Sequence, residues 1–341
     1  LPELVAQRHK DLGYDFLTMS DHNVLMQGER WRDMRGKRPV KPEAIEEARR
    51  LFGPNALEVR GEGEKQQVRL KTLAEIRQLV EEPGKFLMIE AEEITGRCGP
   101  KQVHVNAING AEPILPQEGG DVVETLDNDL AAVDEQARRL GRPIFTHINH
   151  PGWPYYDIRP EDLAAVERGV CYEVSNTNHG SRLAGDELFG DTDKTWDIVN
   201  TLRVGAMQKA PYFGVATDDT HHYYVTEGDC IVGRGWIVVR AEELSTPAIL
   251  ASLQAGDFYA STGVELQEVN YDADKGAYTV EVAPEEGANY TIVFYGTMKD
   301  YDRTTKTVDV PDFKGEKQRP TIQYSKDVGC VLAEVHGTKP S

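Results

Sequence analysis

The chain has 341 residues, of which 39% are hydrophobic and 28% charged, a balance typical of a globular protein rather than a disordered one. Its 57 acidic and 38 basic residues give a formal net charge of -19, which opposes broad electrostatic binding to nucleic acid because the phosphate backbone is also negative. No run approaches the ~20 consecutive apolar residues of a membrane helix, so we expect no membrane insertion. The four cysteines are widely spaced and form no CxxC pair, which excludes a zinc ribbon and a dense disulfide framework.

Short apolar runs alternate with helical patterns in the first two thirds of the chain. The predicted strands are 14–20, 86–94, 103–108, 143–149, 171–176, 212–217 and 236–240. Most of these runs are continuously apolar, as is typical of parallel strands covered on both faces. Helical patterns lie between several of them, and such a series predicts either an α/β barrel or a doubly wound sheet. No GxGxxG or GxxxxGK[ST] follows a strand, which disfavours nucleotide binding of the second kind.

Two stretches depart from this alternation. The polar stretch from Arg30 to Lys71 holds one helical pattern, and we interpret it as an insertion and a candidate lid. From residue 264 onward, segments such as AYTVEVAP and YTIVFYG alternate apolar and polar residues between turns. This pattern predicts a small antiparallel β-sandwich. The chain is therefore expected to comprise two domains, residues 1–263 and residues 264–341.

Histidines and carboxylates concentrate at the ends of the predicted strands. His22, Glu93 and His150 end or follow strands, Asp219 and His221 follow another, and His104 opens the strand 11 residues after Glu93. In an α/β barrel the carboxyl ends of the strands meet at one mouth, so these residues are expected to converge. Neutral imidazole and carboxylate together suit zinc, manganese or iron. The pattern therefore predicts a metal site.

Each motif alone also has a structural interpretation. Asp21-His22-Asn23 and Asn149-His150-Pro151-Gly152 are compatible with simple turns, which Asp, Asn and Gly favour. The segment DDTHH at 218–222 is harder to explain in this way, because it places two acids and two histidines within five residues.

The order GYDFLTMSDHN, EEIT, VHVNAING, INHP, EVSN and GVATDDTHH resembles the motifs of the PHP (polymerase and histidinol phosphatase) superfamily, over residues 1 to about 263. The resemblance implies a distorted (β/α)7-type barrel, followed by a small all-β domain as in a subgroup of exported bacterial PHP proteins. It also implies a site for two or three divalent ions of zinc, manganese or iron. Its implied metal ligands are His22, Glu93, His104, His150, Asp219 and His221. Asp21 would orient His22 or a bound water.

The PHP pattern is incomplete at the start of the chain. PHP proteins open with an HxH motif on their first strand, whereas this sequence opens with LPELVAQRHKDLG, which corresponds to the helix that follows that strand. We expect that the HxH segment is missing from the sequence rather than lost from the protein. A true loss would remove roughly half of the ligands of one ion.

Other residues of the same motifs receive supporting roles. His222 is a candidate proton donor to the leaving group or a neighbour of the ligands. His179 and Arg182, in the loop NTNHGSR, are candidates for contact with a substrate phosphate, with a solvated loop as the alternative. His147 is an alternative ligand, and Glu173 is expected to organise the mouth rather than to bind metal.

These features predict an enzyme that hydrolyses phosphoester bonds of a small phosphorylated molecule with a metal-activated water. The alternatives are hydrolysis of another ester or an amide at the same site, and a binding protein with a degenerate metal site. The resemblance to exported proteins predicts a periplasmic or extracellular location, with the cytoplasm as the alternative.

Overall fold

The computed structural model describes residues 1–37, 39–223, 227–228 and 230–337, and for His179 the backbone only. Its helices are α1 (Pro2–Asp11), α2 (Pro42–Phe52), α3 (Leu73–Val80), α4 (Val122–Leu140), α5 (Trp153–Tyr156), α6 (Pro160–Ala165), α7 (Thr192–Asn200) and α8 (Thr246–Ala255). Its strands are β1 (Phe16–His22), β2 (Arg30–Asp33), β3 (Val59–Arg60), β4 (Gln67–Leu70), β5 (Leu87–Cys98), β6 (Lys101–Ile108), β7 (Phe145–Ile148), β8 (Cys171–Asn176), β9 (Phe213–Thr217), β10 (Trp236–Val239), β11 (Phe258–Ser261), β12 (Leu266–Asp272), β13 (Ala277–Val282), β14 (Tyr290–Gly296), β15 (Thr305–Val308), β16 (Thr321–Tyr324) and β17 (Cys330–Gly337). The protein is therefore of mixed α/β class, as the alternating pattern predicts.

A curled six-stranded sheet forms the centre of the α/β part, with the strand order β1-β5-β6-β7-β8-β9. Strand β1 runs parallel to β5, and β7, β8 and β9 run parallel to one another. The expectation that the strands are parallel is wrong at β6, which pairs antiparallel with both β5 and β7. The reason is local: β5 and β6 are joined by a tight hairpin through Gly99, at φ 60°, with no helix between them.

The two faces of this sheet bury different residues. Val103, Val105 and Ile148 point to one face, where they pack under α4, α6 and α7. Ile89, Ile108 and Phe145 point to the other face, which we call the inner face, where they pack against α8. Because side chains alternate along a strand, Glu93 shares the inner face with Ile89 and Ala91. The inner face is thus apolar at one end of the sheet and polar at the other.

Two buried carboxylates anchor the loop between β6 and α4. The carboxylate of Glu92 accepts the amide of Ile114 at 2.7 Å, and that of Asp129 accepts the amide of Gln117 at 2.7 Å. Each carboxyl group has a second oxygen that is buried without a hydrogen-bond partner among the described residues. Burial raises the pKa of both Glu92 and Asp129 to about 7. Both groups are therefore more easily protonated in the folded protein than in the unfolded chain.

We expect the Asp129→Asn substitution to stabilise the protein at alkaline pH. Since the pKa of Asp129 is raised on folding, its charge opposes folding, and stability falls as the pH rises from about 4 through 7. Asn keeps an acceptor for the amide of Gln117 but carries no charge. Urea unfolding should show a gain of about 2–4 kcal/mol at pH 8 and a smaller gain at pH 5. The control Asp134→Asn, at an exposed site on α4, should show no such trend, and an equal response of the two variants would refute the explanation.

The insertion forms a three-stranded antiparallel sheet of order β2-β4-β3, together with α2. The single helix is as predicted, but the three strands are not predicted by the sequence pattern. They are two to four residues long, with the sequences RWRD, VR and QVRL, and charged residues at such density are unfavourable for strands. Pairing between distant segments therefore decides their conformation.

The C-terminal residues form antiparallel pairs, as the alternation predicts: β12 with β13, β14 with β17, and β15 with β16. They are three separate two-stranded sheets. Arg319 forms an ion pair with Asp162, and the hydroxyl of Tyr324 donates to Glu161 at 2.7 Å, so this region packs on α6. Strand β10 pairs with β11 rather than with the central sheet. Residues 338–341 of the predicted second domain lie outside the described part of the chain.

Among the described residues, no helix is both long enough and apolar enough to span a membrane.

Candidate metal centre

Strand pairing brings four of the predicted ligands to one end of the curled sheet. His22 and Glu93 face each other in the parallel register of β1 and β5. His104 pairs with Thr95 across the hairpin, because β6 begins at the end where β5 finishes. His150 follows the end of β7, and the amide of the preceding Asn149 donates to the carbonyl of His104 at 3.0 Å.

These side chains converge on the carboxylate of Glu93. One oxygen, Oε2, lies 2.9 Å from Nδ1 of His22, and the other, Oε1, lies 2.9 Å from Nδ1 of His104. The Nε2 atom of His150 lies 3.7 Å from Oε1 and 3.0 Å from Nδ1 of His104. Asn149 donates its amide to Oε1 at 2.8 Å. We refer to His22, Glu93, His104 and His150 as the Glu93 cluster.

The pKa shifts of Glu93 and His104 suit metal binding, whereas hydrogen bonding to Glu93 raises the pKa of His22 and, against the effect of burial, that of His150. Burial alone would raise the pKa of Glu93, but hydrogen bonds from His104, His150 and His22 hold it well below its usual range. Glu93 is therefore ionised. Burial lowers the pKa of His104, which favours the neutral imidazole. An ionised carboxylate and a neutral imidazole are the forms that bind a metal ion.

The geometry of the cluster also fits a divalent ion. Ligand atoms of His22, Glu93 and His104 lie within 4.8 Å of one another. The Nε2 atom of His104 is buried and has no hydrogen-bond partner among the described residues, so one ligand atom of the cluster is unsatisfied. Two kinds of donor, imidazole nitrogen and carboxylate oxygen, are what zinc, manganese and iron take in proteins. The residues present therefore fit a metal ion.

Three residues at this end of the sheet have backbone conformations that side-chain-bearing residues rarely adopt. The φ angles are 55° at Asn23, 28° at His150 and 48° at Asp219. Asn23 is held because its amide donates to the carbonyl of Glu93 at 2.8 Å and its side chain accepts the amide of Thr95 at 2.8 Å. Such backbone outliers concentrate at functional sites, where the surrounding contacts maintain them.

Glu173 positions His150 through a hydrogen bond to its backbone amide. Its Oε2 atom accepts the amide of His150 at 2.6 Å and the side-chain amide of Asn176 at 3.0 Å. Its Oε1 atom accepts the hydroxyl of Thr217 at 2.7 Å. Burial raises the pKa of Glu173 to about 7. These contacts agree with the predicted role of Glu173 in organising the mouth.

The other two predicted ligands, Asp219 and His221, lie next to each other in the loop after β9, with Nδ1 of His221 3.6 Å from Oδ1 of Asp219. Asp219 lines the same cavity as His22, Glu93 and His150, and its charge contributes to raising the pKa of both His22 and His150. Its Oδ2 atom accepts the side-chain amide of Asn178 at 3.2 Å. His221 is exposed, lines the same cavity, and has its Nδ1 atom 2.7 Å from the carbonyl of Asp219.

The predicted supporting residues occupy varied positions. Asp21 is exposed and lines the same cavity as His22. His222 is exposed, and its amide donates to the carbonyl of Cys230 at 3.0 Å. Arg182 donates to the carbonyl of Pro154 at 2.9 Å, and the side chain of His179 lies outside the described part of the chain. Their assigned roles stay predictions.

His147 lies deeper on the inner face, in a fully buried position. Its Nε2 atom is 3.1 Å from the side-chain amide of Asn106, and burial lowers its pKa to about 4. Its Nδ1 atom is buried without a hydrogen-bond partner among the described residues, so its role as an alternative ligand stays a prediction.

A cavity of about 1390 Å³ opens beneath and beside the Glu93 cluster. Its polar end includes His22, Glu93, His150 and Asp219, and its far end is lined by apolar residues of the inner face. Small-molecule sites usually occupy about 300–1,000 Å³, so there is room for a substrate of that size. Residues of the insertion line the cavity as well, and its role as a lid stays a prediction.

Sequence reasoning did not identify several polar residues that hold the site together. Thr95 lies 2.6 Å from Nδ1 of His22, and Asn149 and Asn178 donate to Glu93 and Asp219. Thr95 and Asn149 stand inside the motifs EEIT and INHP, directly beside predicted ligands. Their position within those motifs is the sequence signal that could have identified them.

Comparisons of the chain with protein-family models, with curated proteins and with solved structures found no match.

Proposed function

We propose that the protein is a metal-dependent hydrolase that acts on phosphoester bonds of small phosphorylated molecules. The observation that carries this proposal is the convergence of three imidazoles on one buried, ionised carboxylate at the mouth of a large cavity. We also infer that the curled sheet is a distorted (β/α)7-type barrel of the PHP superfamily and that the C-terminal strands are its small β-sandwich domain. The motif order and the position of the site support both inferences.

The proposed ligands of two or three divalent ions of zinc, manganese or iron are His22, Glu93, His104, His150, Asp219 and His221. Ions bound there would polarise a phosphoryl oxygen and lower the pKa of a coordinated water toward neutrality.

The protein's own residues set the arrangement around these ligands. Asn149 fixes one oxygen of Glu93 and Thr95 fixes the ring of His22, so neither side chain is free to rotate. The backbone bond to Glu173 holds His150 at its strained conformation. Asn178 orients the carboxylate of Asp219. Such preorganisation reduces the rearrangement needed when a substrate binds.

Four further residues complete the proposed site. Asp21, at the cavity wall beside His22, orients that ligand or a water. His222 is the proposed proton donor to the leaving group. His179 and Arg182 are the proposed contacts to a substrate phosphate.

The test is metal analysis and phosphoester hydrolysis by the full chain and its His150→Ala variant. We expect the parent protein to contain zinc, manganese or iron at one equivalent or more and to hydrolyse p-nitrophenyl phosphate. We expect His150→Ala to lower the rate by at least about 100-fold while the far-UV circular dichroism spectrum stays unchanged. Asp219→Ala should behave in the same way. The control is His336→Ala, on the exposed strand β17, which should keep full activity.

The remaining outcomes distinguish this proposal from its alternatives. Full activity in both His150→Ala and Asp219→Ala would contradict the assignment of the site. Turnover of a carboxyl ester or an amide, with no phosphoester turnover, would replace the substrate class but keep the metal site. Less than about half an equivalent of metal would show a binding protein with a degenerate site instead.

A further inference from the structure

The two faces of the small sheet of the insertion differ in whether their arginines have carboxylate partners. On the outer face, Arg60 lies 4.0 Å above the ring of Trp31 and 3.9 Å from the carboxylate of Glu29. On the same face Arg69 forms ion pairs with Glu58 and Glu75, both at 2.6 Å. Every arginine of this face is therefore neutralised by a carboxylate.

The opposite face carries Arg30 and Arg32. In the register of β2 and β4, Arg30 pairs with Leu70 and Arg32 pairs with Val68, so both guanidinium groups stand on an otherwise apolar strip. Among the residues that the structure describes, neither guanidinium has a hydrogen-bond or ion-pair partner. Residues i and i+2 of a strand lie about 6.5–7 Å apart on one face, so the two positive charges also repel each other.

Both arginines line the cavity that contains the Glu93 cluster. The contacts on the outer face hold β2 in this orientation, because Trp31 lies under Arg60 and donates to Glu29 at 2.6 Å. The cavity is also lined by acidic residues, including Asp21, Glu93 and Asp219, and by Lys41 and Lys71, of which Lys71 pairs with Glu3 at 3.0 Å. The chain as a whole carries a net charge of -19. Two unpaired guanidinium groups at this position therefore form a local site for an anion in an acidic protein.

We propose that Arg30 and Arg32 bind a second anionic group of the substrate, so that the preferred substrates carry a phosphate or carboxylate in addition to the phosphoester. This inference rests on the proposed function, since the scissile group is assigned to the Glu93 cluster. The two arginines act as specificity residues at the cavity wall. Arginine suits this role because its planar donors match the oxygens of a phosphate or carboxylate.

The test compares the binding of two non-hydrolysable probes to the full chain by calorimetry. The probes are propylphosphonate, with one anionic group, and propane-1,3-diphosphonate, with two. We expect the diphosphonate to bind at least about tenfold more tightly, and each of Arg30→Gln and Arg32→Gln to weaken its binding about tenfold. The propylphosphonate affinity should change much less. The control Arg35→Gln removes the same charge from an exposed position of the insertion that pairs with Glu64 at 3.8 Å.

Two sets of results separate this inference from the proposed function. Equal affinity for the two probes, or equal loss in Arg30→Gln, Arg32→Gln and Arg35→Gln, would overturn the inference even if phosphoesters are hydrolysed. A diphosphonate preference that persists after metal removal by a chelator, and that needs Arg30 and Arg32, would support the anion site even if no hydrolysis is found. Propane-1,3-diol bisphosphate should then be hydrolysed with a lower KM than propyl phosphate, if the proposed function also holds.

Discussion

Replacement of Glu93 by Gln is expected to remove bound metal and to lower hydrolysis by at least about 100-fold. Gln has the same shape, but it is neutral and offers one oxygen in place of two. The Nδ1 atoms of His22 and His104, each 2.9 Å from a carboxylate oxygen, then lose the charge on which they converge. The measurement is metal per chain by elemental mass spectrometry, together with the initial rate on p-nitrophenyl phosphate.

The control for this substitution is Glu135→Gln, which removes the same charge from an exposed position on α4. It should keep the metal content and the rate of the parent protein. Unchanged metal content in Glu93→Gln would mean that Glu93 is a structural partner of the histidines, and the proposed site would have to be abandoned.

Replacement of Asp218 by Ala is expected to destabilise the protein by about 3–5 kcal/mol. The buried carboxylate accepts three backbone amides, those of Gly233 at 2.9 Å, Arg234 at 2.6 Å and Gly235 at 2.8 Å. Without it these donors lose their charged acceptor, and His9, whose Nε2 atom lies 3.5 Å away, loses its partner. Chemical denaturation in the presence of a chelator measures the free energy of unfolding without a contribution from metal.

The neighbouring residue provides a matched comparison. Asp219→Asn removes the same charge one position later, where the carboxylate accepts one hydrogen bond from the described residues, that of Asn178. We expect it to change the free energy of unfolding by less than about 1 kcal/mol but to remove metal and activity. If the two substitutions have the same effect on stability, the assignment of a structural role to Asp218 and a metal-binding role to Asp219 is wrong.

The Glu93 cluster shows how much of the candidate site the local sequence pattern predicts. The spacing of His22, Glu93 and His150 at strand ends predicts that they meet, because carboxyl ends of parallel strands share one edge of a sheet. The structure brings these three together with His104, as expected. The same reasoning predicted His221 as a ligand, and its exposed ring lies beside Asp219, with Nδ1 2.7 Å from the Asp219 carbonyl.

The case of β6 shows where the pattern fails. An apolar run between polar segments indicates a buried strand but not its direction, and β6 is antiparallel to both neighbours. The direction matters for function, because only an antiparallel β6 has its first residues, including His104, at the end where Glu93 lies.

The sequence by itself determined the α/β class, the positions of most helices and strands, and which imidazoles and carboxylates form a metal site candidate. These properties depend on side-chain periodicity and on residue chemistry, both of which are local. Only the tertiary structure decided the direction of β6, the pairing of β2 with β4, and the different surroundings of Asp218 and Asp219. It also decided that Arg30 and Arg32 face the cavity while Arg60 and Arg69 face away. Each of these depends on contacts between segments distant in the chain, which a local pattern does not encode.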